Sequence, residues 1–332
     1  MRKTVWISAG LVLVAALYGG LWYATAMTVR TLTVQWLEDR RREGLIISHD
    51  APALAGFPFK AEAEIPNLVV AAPALAESPA WSWRMETLRV FARPLVFDRF
   101  FLNLAGAHKI SGLPADDIHA DVKQADVMVT IAGDSAEFTL AGVTAGAFAL
   151  ENASLKGTFA PDAIHLELAV ANATLPDILP PPLSRTLESI KLTVDVTGRV
   201  ATGARLPAVL ESWRAGGGAV EVRALEVNWP PVSATGSGTA ALDKNLQPEG
   251  AFTATFRGFL DVVDMLVAAG RMDNQQASLA RGALVLLSRT AREGGAPYLD
   301  LSLTVQDQKV SAGPLTLMEM PPIAWRQNIP VP

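Results

Sequence analysis

Residues 5–27 read VWISAGLVLVAALYGGLWYATAM, and this uncharged stretch sets the organisation of the whole chain. At about 1.5 Å of helical rise per residue, some 20 apolar residues cover the roughly 30 Å hydrocarbon core of a bilayer. Trp22 and Tyr23 lie near the end of the stretch, where membrane helices carry interfacial aromatic side chains. The pattern predicts a membrane anchor formed by residues 1–27.

Two alternatives to an uncleaved anchor stay open. Residues 24–26 read Ala-Thr-Ala, which has the small-x-small form of a signal-peptidase site and fits a cleaved signal peptide; a buried core helix is the other alternative. The anchor is favoured because the apolar run is longer than that of a signal peptide and because helical periodicity continues beyond it. The continuation predicts an amphipathic stalk helix over residues 28–43, with an apolar stripe of Val29, Leu32, Thr33, Trp36 and Leu37.

The orientation of the anchor depends on the basic residues that flank it. Arg2 and Lys3 favour a cytoplasmic start, whereas Arg30 and residues 40–42 are basic on the other side. Long domains cross membranes largely regardless of their charge, so we expect residues 44–332 to be exported. A cytoplasmic domain on a reversed anchor is the alternative.

Composition excludes several classes of protein. Half of the residues are hydrophobic and only 18% are charged, so the chain is not a disordered tail. The net charge is −5 and no basic cluster follows residues 40–42, so we expect no nucleic-acid partner. The chain has no cysteine, which rules out disulfides, thiolate nucleophiles and cysteine-bound metals.

Period-two alternation of apolar and polar residues dominates the chain after the stalk. Residues 59–65 alternate between two prolines, and residues 164–170 and 190–196 repeat the pattern. Between Val222 and Leu225 the apolar phase shifts by one residue, which predicts a β-bulge. Because crossover helices are missing from most of the chain, we expect the strands to pair in antiparallel order.

Helices are predicted at two places. Residues 206–213 form a short amphipathic segment that ends in three glycines. Residues 259–267 have helical spacing, and Asp273 with Gln276 has the spacing of a capping box for a second late helix that carries Leu279, Ala283, Leu286 and Leu287. A final hairpin of residues 298–305 and 309–318 closes the chain.

The predicted fold is therefore an N-terminal transmembrane helix followed by a mainly β (α+β) exported domain. This domain, residues 44–332, would contain a long curved antiparallel sheet or groove and a C-terminal helical pair. A proline-rich stretch indicates a surface connection and a sub-boundary near residues 176–188.

The candidate binding surface is an apolar groove on this sheet. It is predicted from two alternating segments, whose apolar residues are Ile164, Leu166, Leu168, Ile190, Leu192 and Val194. The alternative is that the same apolar face forms the core of an ordinary two-sheet sandwich.

Residues with catalytic or metal-binding potential are few. Residues 236–241 fit the lenient dinucleotide pattern G-x-G-x-x-A, but no helical pattern follows them. The nearest pair of histidines, His108 and His119, has Asp116 and Asp117 beside it but lacks the spacing of a metal site on a helix. We therefore expect no catalytic residues, no metal ligands, no cofactor and no enzymatic activity.

Several turn and packing residues together resemble an uncharacterised family of bacterial envelope proteins, found chiefly in alphaproteobacteria and catalogued as domain of unknown function 2125. The resemblance covers most of the chain after the anchor, and its residues are Gly56, Phe57, Pro58, Phe59, the aromatic stretch 81–97, Trp213, Gly217, Gly218, Val227, Asn228, Trp229, Gly238, Thr239, Leu242, Asp243, Pro248, Gly250, Gly313, Pro314 and Pro321. The chain departs from the family at residues 96–104, where Phe-Asp-Arg-Phe-Phe replaces the Pro-Asn segment that is common there. The alternating strands also look like those of AsmA-type proteins, whose curved sheets are thought to hold lipid acyl chains.

The resemblance implies a β-rich domain in the periplasm, held by a single-pass anchor in the bacterial inner membrane, and no catalytic residues. Two partners are considered besides the bilayer that residues 5–27 contact. The first is a phospholipid ligand in the apolar groove, which would make the protein a lipid-handling envelope protein. The alternative is another envelope protein, bound through an exposed strand edge by a structural or scaffolding protein.

Overall fold

A single helix, α1 (Arg2–Arg42), contains the uncharged stretch and continues without a break through the predicted stalk. By length and composition it is apolar enough to cross a membrane. The structure is a computed structural model that describes residues 2–74, 79–112, 116–176, 183–200, 206–290 and 296–325. The predicted fold class is confirmed, since 53% of the chain is strand and a helical pair lies near the C-terminus.

The chain divides into two compact units. Unit 1 comprises Met1–Ala149 and unit 2 comprises Leu150–Pro332. The predicted sub-boundary near residues 176–188 falls within unit 2 and stays a prediction, because residues 177–182 lie outside the described part of the chain.

Unit 1 combines α1 with an antiparallel sheet. Its strands are β1 (Ile46–Ser48), β2 (Ala53–Ala55), β3 (Ala61–Ala72), β4 (Trp81–Arg93), β5 (Val96–Asn103), β6 (Gly106–Ser111), β7 (Ile118–Thr130) and β8 (Ser135–Ala145). Strands β1 and β2 both pair with β3, and β5 and β6 both lie between β4 and β7. The sequence predicts that β3 ends at Pro66, but the strand continues to Ala72. Pairing with β4 resumes at Leu68, and only Asn67 is left out of it.

The second half of α1 packs on the sheet of unit 1. Val29 contacts Ala63 at one level, and Leu37 packs against Ile65 further along the helix. Ala63, Ile65 and Leu37 are completely buried. The predicted amphipathic helix over residues 28–43 is thus a structural part of unit 1.

Unit 2 contains strands that pair in the order of the sequence. They are β9 (Phe148–Ala160), whose first two residues belong to unit 1, β10 (Ala163–Thr174), β11 (Thr186–Thr197), β12 (Ala219–Trp229), β13 (Val232–Leu242), β14 (Pro248–Arg257), β15 (Tyr298–Gln306), β16 (Lys309–Ala312) and β17 (Leu315–Glu319). Each recorded pairing from β10 to β17 is antiparallel. The predicted bulge is confirmed, since the register of β12 shifts between Val222 and Leu225.

The described residues of unit 2 form three helices: α2 (Leu206–Ala215), α3 (Phe259–Ala268) and α4 (Asn274–Leu287). The predicted capping box is confirmed, because the Gln276 amide donates to the Asp273 carboxylate at 2.7 Å and the Asp273 amide donates to the Gln276 side chain. The predicted last strand, residues 309–318, is split into β16 and β17, since Gly313 turns the chain at φ 56° before Pro314.

We expect truncation of Leu37 to destabilise unit 1. Because Leu37 is completely buried between α1 and the sheet, Leu37→Ala should lower the free energy of unfolding by about 2–5 kcal/mol. Urea unfolding of the full chain in detergent micelles, followed by tryptophan fluorescence, measures this loss. The matched control is Leu32→Ala on the exposed side of the same helix, for which we expect less than about 1 kcal/mol. Equal losses for the two variants would contradict the packing described above.

Candidate functional site

The six residues predicted to form the apolar groove lie on one face of strands β10 and β11. Leu166 is paired with Val194 and Leu168 with Leu192 across the two strands. Ile164 and Ile190 occupy the same face at the two ends of the ladder, opposite Val196 and Val170. The structure therefore brings the six predicted residues together.

The same apolar face extends over four further strands. Its residues form four rows in register from β10 to β15: Ile164, Val196, Val220, Ala240, Gly250 and Val305; Leu166, Val194, Val222, Gly238, Phe252 and Leu303; Leu168, Leu192, Leu225, Gly236, Ala254 and Leu301; Val170, Ile190, Val227, Ala234, Phe256 and Leu299. Every position is apolar or glycine. The bulge in β12 places both Val222 and Leu225 on this face. The apolar face therefore continues across β12, although the apolar pattern in the sequence shifts by one residue.

This apolar face is half-buried along nearly its whole extent. Leu299, in the last row, is buried, and the other residues of the four rows are partly accessible. Side chains on a sheet cover one another in part, but a face that packs against a second layer contains fully buried residues. The burial pattern is that of a face without a second layer in its middle.

One end of the apolar face is covered by α2. The Trp213 indole donates to the Thr197 carbonyl at 2.8 Å, and its ring lies so close to Gly218 that a Cβ there would be 2.3 Å from it. Helix α2 and the sheet line an open pocket of about 380 Å³. Its lining is entirely nonpolar: Val196, Val200, Val209, Leu210, Trp213, Val220, Ala240, Ala241, Leu242, Pro248 and Trp325.

At the other end, α3 begins directly after β14 and contacts β13, with Phe259 and Val263 buried. Helix α4 packs on α3, yet the apolar residues Leu279, Leu286 and Leu287 that its periodicity singled out are exposed. Within unit 2, no second layer of strands packs on the apolar face in the described residues. This arrangement favours an open apolar surface over a sandwich core.

The opposite face of the same strands is polar. On it, Asp195 accepts a hydrogen bond from His165 at 2.6 Å and also pairs with Arg223, while Glu167 lies 3.4 Å from the other ring nitrogen of His165. The hydrogen bond to Asp195, reinforced by Glu167, raises the pKa of His165 above its ordinary value. The bond from His165 lowers the pKa of Asp195. This charged cluster lies on the solvent-facing side of the sheet.

Residues that the sequence offered for other chemistry have structural roles. Residues 236–241 lie inside β13, and no helix follows that strand. A Cβ on Gly238 would lie 2.4 Å from the Phe252 ring, so the glycine is required by close packing of β13 and β14. The motif therefore lacks the strand-to-helix turn on which a dinucleotide would bind.

His108, from the candidate metal pair, is engaged through both ring nitrogens. Its Nδ1 accepts from the Trp83 indole at 3.2 Å, and its Nε2 lies 2.8 Å from the Leu104 carbonyl. Asp117 pairs with Lys109 at 2.8 Å. Among the described residues, no group of three or more histidine, aspartate or glutamate side chains is placed to hold a metal ion.

Unit 1 has a smaller apolar groove that the sequence did not predict. It lies beside α1, has a volume of about 300 Å³ and is lined by Val29, Leu32, Thr33, Trp36, Leu88, Val90, Phe100 and Leu102. Leu32 and Trp36 belong to the apolar stripe of α1 but remain exposed at the edge of this groove. The apolar stripe itself was predicted from the sequence. The position of Leu32 and Trp36 beside β4 and β5 depends on long-range packing, which the sequence does not show.

We expect the pKa of His165 to fall towards its ordinary value of about 6.5 in the Asp195→Asn variant, because Asp195 is the main cause of the increase. Glu167→Gln should lower the pKa less. Nuclear magnetic resonance of labelled histidine measures both changes, since the chain has only four histidines. A larger effect of Glu167→Gln than of Asp195→Asn would contradict the assignment.

The same cluster predicts a pH dependence of stability. Because the folded state binds the His165 proton more tightly than the unfolded state, the stabilisation is complete below about pH 6.5 and is lost as the pH rises through the folded pKa. His165→Gln should therefore destabilise the protein at mildly acidic pH and have little effect at alkaline pH.

Comparison with known proteins gives one match. The family model described as "Uncharacterized protein conserved in bacteria (DUF2125)" matches residues 22–321, from within α1 to beyond β17. No curated protein and no solved structure matches the chain. The likeness to AsmA-type proteins and the alphaproteobacterial distribution stay predictions. The match covers most of both units and confirms the predicted family: the chain belongs to the DUF2125 family of uncharacterised proteins conserved in bacteria.

Proposed function

We propose that this protein binds phospholipid acyl chains on the apolar face of β10–β15. In this proposal residues 5–27 of α1 anchor it in the bacterial inner membrane, and residues 44–332 lie in the periplasm. The observation that carries the proposal is the set of four apolar rows, in register over six strands and half-buried in their middle. A partly accessible apolar surface of this extent is typical of an interaction site.

The dimensions of the apolar face suit a lipid chain. Five intervals of about 4.8 Å between strands give a width of about 24 Å, and three intervals of two residues give about 20 Å along the strands. One leaflet of a bilayer has a hydrocarbon depth of about 15 Å, half of the roughly 30 Å core. The face is therefore long enough to accommodate an acyl chain along either direction.

The pocket under α2 supports the same ligand class. A nonpolar pocket of about 380 Å³ at the end of an apolar face fits the terminal part of a hydrocarbon chain. Its lining offers no charged group that would recognise a sugar, nucleotide or phosphate. In this proposal the polar head group stays outside the pocket, in solvent or at the edge of the sheet.

Binding would be driven by removal of apolar surface from water, at about 25 cal/mol per Å². The proposed activity requires no covalent step, no cofactor and no catalytic residue. Helix α1 would hold the apolar face close to the bilayer that supplies the lipid, which raises the effective concentration of the ligand.

Site-specific photocrosslinking in intact cells tests this function. We expect a photoreactive amino acid at Leu192 or Leu225, on the apolar face, to form an adduct with labelled phospholipid, because these side chains lie in the middle rows. The matched control position is Thr193, on the opposite face of the same strand, where we expect no adduct. Equal yields on the two faces, or no lipid adduct on either, would overturn the proposal.

Charged substitutions give a second measure of the same site. Leu166→Asp should lower the crosslinking yield at Leu225 at least about tenfold, because a carboxylate in an apolar site costs several kcal/mol. Glu167→Asp, one residue further on the polar face, should leave the yield unchanged. Protease resistance of the purified variants shows whether each is folded.

A second function, binding of another envelope protein, is favoured by the surface of α4. Its residues Leu279, Leu286 and Leu287 are highly exposed, although α4 is held against α3 through buried Ala277. An exposed helical face with leucines is typical of docking sites for a partner protein. In this alternative the protein is a scaffold whose partner covers α4.

We expect a photoreactive group at Leu286 to crosslink to a protein partner and not to lipid if the scaffold function is correct. The partner adduct should disappear in the Leu279→Lys variant, which places a charge on the same face. The control is Asn274→Lys, at an exposed polar position of α4 that lies away from the face of Leu279 and Leu286. Lipid adducts at Leu286 would contradict this second function.

A further inference from the structure

Three turns at one end of the sheet of unit 1 carry exposed apolar side chains. They are residues 56–60 before β3, residues 94–95 between β4 and β5, and residues 131–134 between β7 and β8. The exposed fractions are 62% for Phe57, 81% for Phe59, 68% for Leu95 and 58% for Ile131. We call these four residues the apolar rim.

The strand register places the three turns at the same end of the sheet. Ala61 at the start of β3 pairs with Ala92 near the end of β4, and Arg93 pairs with Val96 across the second turn. Arg99 pairs with Thr130 at the end of β7, and the Ile131 amide donates to the Asp98 carbonyl at 2.8 Å.

Helix α1 passes this same end within its apolar stretch. The Tyr18 hydroxyl donates to the Pro58 carbonyl at 2.6 Å, and the Trp22 indole donates to the Lys60 carbonyl at 2.5 Å. The rings of Trp22 and Phe57 meet edge to face, with centroids 5.3 Å apart. The first turn is therefore attached to the part of α1 that is apolar enough to lie in a membrane.

These contacts fix the depth of the rim along the helix. If residues 5–27 cross the bilayer, Trp22 lies about 8 Å and Tyr18 about 14 Å before the end of the span, at about 1.5 Å per residue. A turn bonded to both residues then lies about 8–14 Å inside the end of the span, within one leaflet of the hydrocarbon core. Exposed apolar side chains suit this depth, and the long side chains of Lys60 and Arg93, which are exposed beside the rim, can extend towards the lipid phosphates.

We propose that the apolar rim is inserted into the leaflet of the bilayer that contains the C-terminal end of the α1 span. The occupant of this surface is lipid because the rim is attached to the apolar span of α1, on which Leu11, Leu13 and Leu17 are also exposed. In this proposal the sheet of unit 1 contacts the membrane through the three turns that carry the rim. The proposal rests on the anchoring by α1 proposed above and is independent of the lipid site in unit 2.

The absence of cysteine from the chain permits a direct test of depth. Single cysteines at Phe59, Leu95 and Ile131 are spin-labelled in the full chain, in nanodiscs of phosphatidylethanolamine and phosphatidylglycerol. Accessibility of each label to oxygen, which partitions into lipid, is compared with accessibility to a water-soluble nickel chelate. We expect the rim labels to be accessible to oxygen and at least about fivefold less accessible to nickel than a label at Ile46, because lipid excludes the chelate.

Two control positions make the outcomes distinct. Ile46 is an exposed apolar residue at the opposite end of the sheet, paired with Ala71, and its label should be in water. A label at Leu13 reports whether α1 lies in lipid. If Leu13 is in lipid but the rim is as accessible to nickel as Ile46, the rim proposal is overturned and the anchor stands. If Leu13 is itself in water, the anchor and the rim proposals both fail, while the lipid site in unit 2 is untouched.

Protection of the rim by a protein would also overturn the proposal. Labels covered by a second protein or a second copy are shielded from nickel but are not quenched by brominated lipids. Fluorescent labels at the same three positions, in nanodiscs with lipids brominated along the acyl chains, should lose at least about half of their emission. Phe59→Ser, which removes apolar surface without disturbing a buried contact, should move the neighbouring label at Leu95 towards water.

Discussion

A sheet that is apolar on one face needs that face covered by another layer, and both units of this protein are built on such a sheet. Unit 1 meets the need with α1, whose buried Val29 and Leu37 lie against β3 and β4. Completely buried Ala61 and Ala63 allow the helix to approach the strands closely. The same helix thus provides both the apolar stretch and the cover for the first two long strands.

Unit 2 meets the need only at its ends. The buried side chains of this unit include Trp213 and Val209 of α2 at one end and Phe259 and Val263 of α3 at the other. Between them, no second layer covers the rows of β10–β15 among the described residues of the unit. A unit of this length with adequate helical cover would have a buried centre, so the half-buried centre is a property of the architecture rather than of single residues.

Local patterns predicted the elements of the fold, because each pattern acts within one segment. Alternation predicted the strands, the phase shift between Val222 and Leu225 predicted the bulge, and the Asp273 and Gln276 pair predicted the cap of α4. The split of the last strand was missed, since Gly313 and Pro314 interrupt it without interrupting its apolar character.

Contacts between segments that are far apart in the chain could not be predicted from the sequence. Periodicity showed that α1 has an apolar stripe, but whether β3 or solvent meets Val29 depends on residues far away in the chain. The six groove residues were predicted from two strands because each alternates strongly. The sequence did not show that the apolar face continues across β13. Gly236 and Gly238 occupy this face but have no side chain, so they do not add to an alternating apolar pattern. The rim was missed for the same reason, because only the register of β3, β4, β5 and β7 gathers its residues at one end.

The two faces of β10–β15 explain how an open apolar surface is compatible with a stable protein. The His165, Asp195 and Arg223 cluster and rows of threonine and serine make the opposite face well solvated. Large exposed apolar patches promote aggregation in a freely diffusing protein. A chain anchored in a membrane by its own helix collides less freely with other copies. The bilayer also contains lipids, whose acyl chains would cover such an apolar face. An open apolar sheet and an apolar helix on one chain are therefore consistent features. Each promotes aggregation in water, and each can bury its apolar surface against lipid.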